Sequence, residues 1–293
     1  MSEAEDQQNP ESGQVKPTKL ADVVKFLVIA NVIAYIALNY FLAQDDPFIF
    51  EEFALYNFQS ENFSWYQLIT HMFLHAGFLH IFLNMFILWM FGSALEYIWK
   101  PKRFIFYYFF TGLGAAFLHL AVSTFTIGQL ESDVRAYQAS PSYENYEKFL
   151  EEEVGEVPDR IPVQAEFLND MYALKERWES APDNKTHKEE SKDLTDKYLQ
   201  FHIDRPSLGA SGAVFGILLA FGMLFPNTLI YLWFLFPIRA KYFVIFLGAL
   251  ELYLGVFDDG NVANFAHLGG MIFGFILLKI WGEKPRNEGK GLN

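Results

Sequence analysis

The chain has 293 residues, of which 52% are hydrophobic and 32 are phenylalanine, yet its formal net charge is −13. Apolar and charged segments must therefore be segregated along the sequence, which predicts a protein with membrane and aqueous parts. The absence of cysteine excludes disulfides and cysteine-ligated metal sites. An acidic chain without a long basic tract gives no support for binding to nucleic acid.

The N-terminal tail, residues 1–18, is polar and acidic. It lacks the basic stretch followed by a short apolar core that marks a removable signal peptide. We therefore predict a disordered cytoplasmic tail.

Six apolar segments are long enough to cross a bilayer, which requires about 20 apolar residues per helix. They cover residues 23–43, 78–97, 104–126, 208–225, 240–256 and 265–282. Lysine and arginine in short flanks are retained in the cytoplasm. Four basic clusters flank these segments, within 16–25, 100–103, 239–241 and 279–290, and with six spans all four fall on one side. Both termini, including a tail at 283–293, are therefore expected in the cytoplasm.

Two connections on the outer side differ in composition from these segments. Residues 44–77 mix acidic and aromatic side chains, which is typical of a chain lying in the membrane interface. Residues 127–207 carry 19 Asp and Glu against 10 Lys and Arg, a net charge of −9, which predicts an extracytoplasmic insert. Its apolar spacing favours two or three helices, separated at 157–163 and 181–186. A solvated helical hairpin and a module that selects substrates or binds a protein partner both fit this pattern.

Polar groups inside membrane segments are costly, so each one calls for a partner or a function. Ser211 opens the fourth segment between Gly209 and Gly212, where small residues also permit close helix packing. His267 lies near the start of the sixth segment, and the spacing of Gly270 and Gly274 predicts a close contact with the fourth. Such a contact would let neutral histidine take the proton of the serine hydroxyl. The alternatives are a packing serine and a histidine bonded to backbone.

His80 and Asn84 lie four residues apart on one face of the second segment. Both can donate hydrogen bonds, and together with the Ser211 backbone N–H they would form an oxyanion hole. Polar contacts between helices are the alternative. His71 and His75 have a spacing that can bind zinc, but the HExxH pattern of membrane metalloproteases is absent, so we expect no metal site and no cofactor.

These motifs together resemble the rhomboid family of intramembrane serine proteases. The resemblance rests on HxxxN at His80 and Asn84, GxSG around Ser211, and AHxxGxxxG from Ala266 to Gly274. It covers the predicted core, residues 19–126 and 208–282, but neither the N-terminal tail nor the insert, which rhomboids usually replace with a short turn. The implied fold class is an all-α membrane protein, a rhomboid-like bundle of six transmembrane helices with a soluble helical insert between helices three and four.

The resemblance implies that Ser211 is the nucleophile and His267 the base, a dyad without a third carboxylate, and no acid for that role is apparent in the sequence. It places Phe215 where many relatives have a tyrosine that holds the histidine, and it maps His71, His75 and Asn264 near the active-site mouth. Glu251 and His119 are assigned to hydrogen bonding between helices. Residues 257–263 are expected to act as a lid, with Asp258 and Asp259 as exposed loop.

The implied activity is hydrolysis of a peptide bond near the outer end of transmembrane helices, through an acyl-enzyme. The expected partners are transmembrane protein substrates, the lipid bilayer and a possible protein bound by the insert. A catalytically silent rhomboid-like protein that binds membrane helices is the alternative. The expected location is the bacterial inner membrane, crossed several times.

Overall fold

The computed structural model describes residues 21–42, 52–155, 166–232, 236–257 and 263–286. The predicted tail at 1–18, most of the C-terminal tail, the whole predicted break at 157–163 and the centre of the predicted lid, with Asp258 and Asp259, lie outside these ranges. The described residues are mainly helical, as the all-α prediction requires. The helices are α1 (Asp22–Ile36), α2 (Gln67–Thr70), α3 (Phe78–Ile87), α4 (Ser93–Ala139), α5 (Tyr143–Phe149), α6 (Phe167–Glu179), α7 (Lys185–Ile203), α8 (Ser211–Leu224), α9 (Ala240–Phe257) and α10 (Ala263–Ile280).

Short turns of tighter or wider helix extend several of these elements. A 3₁₀ turn, His71–Phe73, follows α2, and π-helical turns follow α1, α3 and α5 at Ala37–Leu42, Leu88–Gly92 and Leu150–Val154. Two antiparallel strands, β1 (Leu229–Leu232) and β2 (Phe236–Arg239), form a small hairpin between α8 and α9, which the sequence analysis did not predict. The pairing of the two strands provides hydrogen bonds for backbone N–H and C=O groups in a stretch where Pro237 disfavours a helix.

Four helical stretches within the described ranges are long and apolar enough to cross a membrane: Asp22–Asn39, Phe78–Ala139, Ala240–Phe257 and Ala263–Ile280. The apolar helix α8 is shorter. The stretch from Phe78 to Ala139 is broken at Lys100, whose positive φ of 68° precedes Pro101. This break falls between the second and third predicted segments.

The third predicted segment continues as helix beyond its expected end at residue 126 and stops only at Ala139. Gly128 alone does not end a helix, whereas Ser140 and Pro141 follow the observed end. The fourth segment begins three residues later than expected, at Ser211, because Gly209 has a φ of 119° that a helix does not allow.

The chain divides into two compact units, and the first contains the described parts of 1–54, 68–119 and 208–293. The buried carboxylate of Glu96 accepts hydrogen bonds from the backbone N–H groups of Val23 (3.0 Å) and Val24 (2.9 Å) at the start of α1. It thereby satisfies donors that no helical carbonyl reaches and complements the helix dipole. Large apolar side chains on the outer faces of α1 and α9, such as Phe26 and Phe246, are exposed, as lipid-facing residues must be.

The second unit comprises residues 55–67 and 120–207. Its core consists of buried side chains from α4 to α7, centred on Trp178 and Tyr146. Of the apolar positions that predicted helices in the insert, Phe149, Met171, Leu174, Trp178, Leu194 and Tyr198 are buried, and Phe167 and Leu199 are partly buried.

The segment 55–67 of the predicted interfacial loop belongs to this second unit. Leu55 and Ser207 exchange backbone hydrogen bonds of 2.9 and 2.8 Å, and the Ser60 hydroxyl donates to Asp204 at 2.6 Å. The two outer connections are thus in contact with one another. The position of residues 44–77 in a membrane interface and the exact domain boundaries remain predictions.

Candidate active site

Ser211 and His267 are brought together by the packing of α8 against α10. His267 Nε2 lies 2.9 Å from Ser211 Oγ, at hydrogen-bond distance. Ser211 is the first residue of α8, and His267 lies in the second turn of α10. A serine hydroxyl and an imidazole at this distance can exchange a proton.

Glycine makes this approach possible. A Cβ at Gly270 would lie 1.8 Å from the carbonyl oxygen of Gly212, and a Cβ at Gly212 would lie 2.3 Å from Ala115 of α4. Backbone therefore meets backbone where α8 and α10 cross. Gly274 serves a different contact from the one expected, because a Cβ there would meet the Tyr107 hydroxyl of α4 at 2.4 Å rather than α8.

The imidazole of His267 is also held on its face. The ring of Phe215, one turn after the serine, stacks on it in parallel, with centroids 4.2 Å apart and an interplanar angle of 4°. This is the position at which the sequence resemblance expected a ring. Phenylalanine brings no hydroxyl, so the contact fixes the plane of the imidazole without engaging its nitrogens.

The other nitrogen of His267 meets a carboxylate that the sequence analysis did not assign to the site. His267 Nδ1 lies 2.9 Å from Glu251 Oε2, and Glu251 is buried in α9. Glu251 makes the kind of hydrogen bond between helices that the sequence analysis assigned to it, and it brings a carboxylate to His267, where no acid was apparent from the sequence. The signal was a lone carboxylate in an apolar helix, which is a functional-site candidate by default.

His80 lies on the other side of the serine. Its ring approaches Gly209, where an added Cβ would lie 2.9 Å from both Cε1 and Nε2. Its Nδ1 accepts the Ala76 backbone N–H at 3.4 Å, which leaves Nε2 as the protonated nitrogen of the neutral ring. The imidazole thus directs a donor at the start of α8.

Asn84 is buried, and its amide donates to the His80 carbonyl at 3.0 Å. Its second amide hydrogen is not used by that bond. Asn84 thus lies one helical turn after His80 and is bonded to its backbone. The group that contacts the start of α8 is the ring of His80.

The remaining expected site residues surround this cluster. The Gly209 backbone N–H donates to the His71 carbonyl at 2.9 Å, which ties the loop before α8 to the turn after α2. The rings of His75 and His80 meet edge to face at 4.9 Å. Burial, with a smaller contribution from His80, lowers the pKa of His75 to about 4. Asn264 is buried near the start of α10. Across the described ranges, no three His, Asp or Glu side chains are grouped as a metal site would require.

Comparison with known proteins identifies the family of this chain. The family model described as "Rhomboid domain" matches residues 62–128 and 191–284, more than half of the chain. The unmatched residues between these ranges lie within the predicted insert.

Three curated relatives carry rhomboid names. The chain is similar to "Rhomboid protein 1, mitochondrial" of Saccharomyces cerevisiae, with 40% identity over 27% of this chain and 23% of the relative. It is similar to "Rhomboid-like protein 11, chloroplastic" of Arabidopsis thaliana, with 31% identity over 34% of this chain and 33% of the relative. It is also similar to "RHOMBOID-like protein 12, mitochondrial" of the same plant, with 26% identity over 85% of this chain and 55% of the relative.

The chain spans between about a quarter and about half of the length of these relatives. The family model nevertheless covers most of the helices that carry the site, including Ser211, His267, His80 and Asn84. This multi-pass membrane protein therefore belongs to the rhomboid family.

Proposed function

We propose that this protein is an intramembrane serine endopeptidase with Ser211 as nucleophile and His267 as general base. The observation that carries the proposal is the 2.9 Å contact between Ser211 Oγ and His267 Nε2 at the start of α8. Neither side chain is exposed to the extent of a surface residue. Family membership supports a protease or a protein of rhomboid-like function.

The length of α8 supports a reaction below the membrane surface. Its 14 residues extend about 21 Å, whereas the hydrocarbon core is about 30 Å thick. Its C-terminal end is fixed by backbone bonds from Arg286 to Leu224 and from Lys241 to Pro226, next to residues that the charge pattern assigns to the cytoplasm. With that end at the cytoplasmic side, Ser211 lies recessed from the outer surface.

In the proposed reaction, Ser211 Oγ attacks the carbonyl carbon of the scissile bond while its proton passes to His267 Nε2. The histidine then gives that proton to the leaving amine, and water hydrolyses the acyl-enzyme. The backbone N–H of Ser211, which opens α8 and has no intrahelical acceptor, is suited to receive the oxyanion. His80 is the proposed second donor, and Asn84 the third.

The proposed substrates are transmembrane helices that unwind locally near their outer end, because an intact helix shields its own peptide bonds. The proposed orientation has both termini in the cytoplasm. The insert remains a candidate for selecting substrates or binding a partner protein. The expected bacterial inner membrane gains no support from the relatives, whose names place them in mitochondria and chloroplasts.

The test is the purified full chain with Ser211→Ala, assayed for cleavage of transmembrane substrates and for labelling by a fluorophosphonate. We expect both signals to vanish in this variant and cleavage to vanish in His267→Ala. Ser93→Ala is the matched control, since Ser93 is a buried serine of α4 outside the site. Cleavage that survives Ser211→Ala would overturn the proposal, and a wild-type chain that is neither labelled nor active would favour the silent helix-binding alternative.

A further inference from the structure

We propose that Glu251 is a positioning residue that completes a Ser211–His267–Glu251 relay, in place of an unassisted serine–histidine pair. The inference rests on the proposed function for its kinetic consequence. Its structural content, that Glu251 fixes the proton on one nitrogen of His267, can be tested without any turnover.

The environment of Glu251 supports its pairing with His267. The side chain is buried, while its neighbours Leu252 and Tyr253 are more than half exposed on the outer face of α9. Glu251 therefore faces the helix bundle. A carboxylate held among apolar helices is costly unless it is hydrogen-bonded, and His267 Nδ1 at 2.9 Å supplies that bond.

The bond then decides where the imidazole proton lies. An ionised carboxylate can only accept hydrogen bonds, so Nδ1 must carry the hydrogen. In the neutral ring, Nε2 is left with its lone pair, and Nε2 is the atom 2.9 Å from Ser211 Oγ. Glu251 thus selects the tautomer that can take the serine proton.

The same bond acts again during the reaction. When the serine proton moves to Nε2, the imidazole becomes a cation beside the negative charge of Glu251, which stabilises it. The proton later leaves Nε2 for the amine nitrogen of the departing peptide, and the neutral tautomer is restored. Glu251 itself neither gains nor loses a proton in these steps.

Phe215 explains why this site needs such a group. Its ring fixes the plane of the imidazole by stacking but has no hydroxyl to orient either nitrogen. Rotation within that plane is restrained by the two hydrogen bonds at the ring edges, to Glu251 and Ser211. The stacking contact with Phe215 fixes the plane of the His267 imidazole, and the two hydrogen bonds fix the direction of its nitrogens within that plane.

A bond that merely ties α9 to α10 is the competing explanation. Glu251→Gln separates the two, because a glutamine has the same shape and can still bond Nδ1. Its amide can donate as well as accept, however, so it no longer selects the tautomer. If Glu251 only holds the two helices together, the Glu251→Gln variant keeps its activity. If Glu251 positions the proton of His267, the variant loses activity.

The kinetic experiment compares the full chain with Glu251→Gln, Glu251→Asp and Glu251→Ala on one transmembrane substrate. We expect Glu251→Gln to lower kcat about 100- to 10,000-fold with KM within about threefold, as for an analogous acid-to-amide change in a serine protease. Glu251→Asp should restore part of kcat because it keeps the charge. Glu96→Gln is the matched control: it alters another buried glutamate, one that caps α1, and it should leave kcat unchanged.

The second measurement uses the same proteins labelled with ¹⁵N-histidine, with His267 assigned by its loss in His267→Ala. We expect the Nδ1-protonated tautomer in the wild type and a shift toward the Nε2-protonated form in Glu251→Gln. An Nε2-protonated His267 in the wild type, or a Glu251→Gln variant with kcat within about threefold of wild type, would overturn the relay. An inactive wild type that still shows the Nδ1-protonated ring would reject the proposed protease function and leave the pairing intact.

Discussion

The helix contact that forms the site in the first unit and the core of the second unit use opposite kinds of residue. In the first unit, the site depends on positions with no side chain at all, since Gly212 and Gly270 let the backbones of α8 and α10 touch. In the second unit, the core depends on the largest side chains, and Trp178 and Tyr146 are fully buried there.

We attribute this difference to the solvent that the sequence predicts for each unit. Lipid tails are as apolar as leucine, so helices in a membrane gain little from burying large apolar groups and associate by close packing. The acidic insert is predicted to lie in water, where a fold gains free energy from every apolar side chain that it removes from solvent. The same chain therefore uses two kinds of packing, close backbone contact and burial of large side chains. Each can be tested by a substitution that disrupts one kind and not the other.

The largest expected effect is in the second unit. Trp178→Ala should lower the free energy of unfolding of this unit by about 3–5 kcal/mol, because it empties a fully buried site. Hydrogen exchange of α5 to α7 measures the loss. Trp65→Ala is the control, since that indole is 69% exposed. Equal exchange in the two variants would contradict the aromatic core.

The next effect is in the first unit. Gly270→Ala adds a single methyl group that would lie 1.8 Å from the Gly212 carbonyl, so α8 and α10 must separate. A displacement of about 1 Å at the reacting atoms can cost about 100-fold in rate. We expect a loss of that size in fluorophosphonate labelling of Ser211.

The matched control for this substitution lies in the second unit. Gly128→Ala places the same methyl group on α4 with no atom within 4 Å. It should stabilise the helix by about 0.5–1 kcal/mol and leave labelling unchanged. Normal labelling in Gly270→Ala would show that the close backbone contact is not required.

The same contrast decides what could be predicted from the sequence. Helix periodicity and the turn-forming stretch at 181–186 predicted the insert helices well. A helix with one face on a core and the other in solvent repeats its apolar residues at helical spacing. The serine and histidine were predicted to meet because glycine spacing indicates close helix contact. The helix that Gly274 contacts was not predictable. Glycine spacing shows which face of a helix permits close contact, but not which neighbouring helix packs there.

The hydrogen bond that Glu251 makes between helices was predicted, but its partner was not, for a related reason. Sixteen residues and a connection separate it from His267, and no local spacing links the two. Only the packing of α9 against α10 determines which nitrogen it meets. The β1–β2 hairpin was also missed, because its apolar residues lie next to two membrane segments and do not alternate with polar ones.

A smaller effect is expected at the ring that stacks on the histidine. Phe215→Leu keeps an apolar side chain but removes the flat face 4.2 Å from the imidazole. Aromatic pairs contribute about 0.5–1.5 kcal/mol, so kcat should fall about two- to tenfold, while Phe215→Tyr should stay near wild type. Phe221→Leu, six residues further along α8 and packed on Phe91, is the control. A kcat that is equally reduced in both leucine variants would assign Phe215 to general packing.

The smallest effect is a pH dependence confined to the second unit. Burial, with a smaller contribution from Arg205, lowers the pKa of His202 from 6.5 to about 4. Its ring packs on those of Tyr198 and Phe201. The unfolded unit therefore binds a proton between pH 6.5 and pH 4 that the folded unit does not, so stability falls as the pH drops through this window.

His202→Gln removes this titrating group. We expect the stability difference between wild type and His202→Gln to be constant above about pH 7 and to shift in favour of the variant as the pH falls toward 4. Hydrogen exchange of α7, corrected for intrinsic rates, measures this difference. Parallel pH profiles for the two proteins would show that His202 titrates alike in the folded and unfolded unit, and the aromatic core would then not exclude water from its edge.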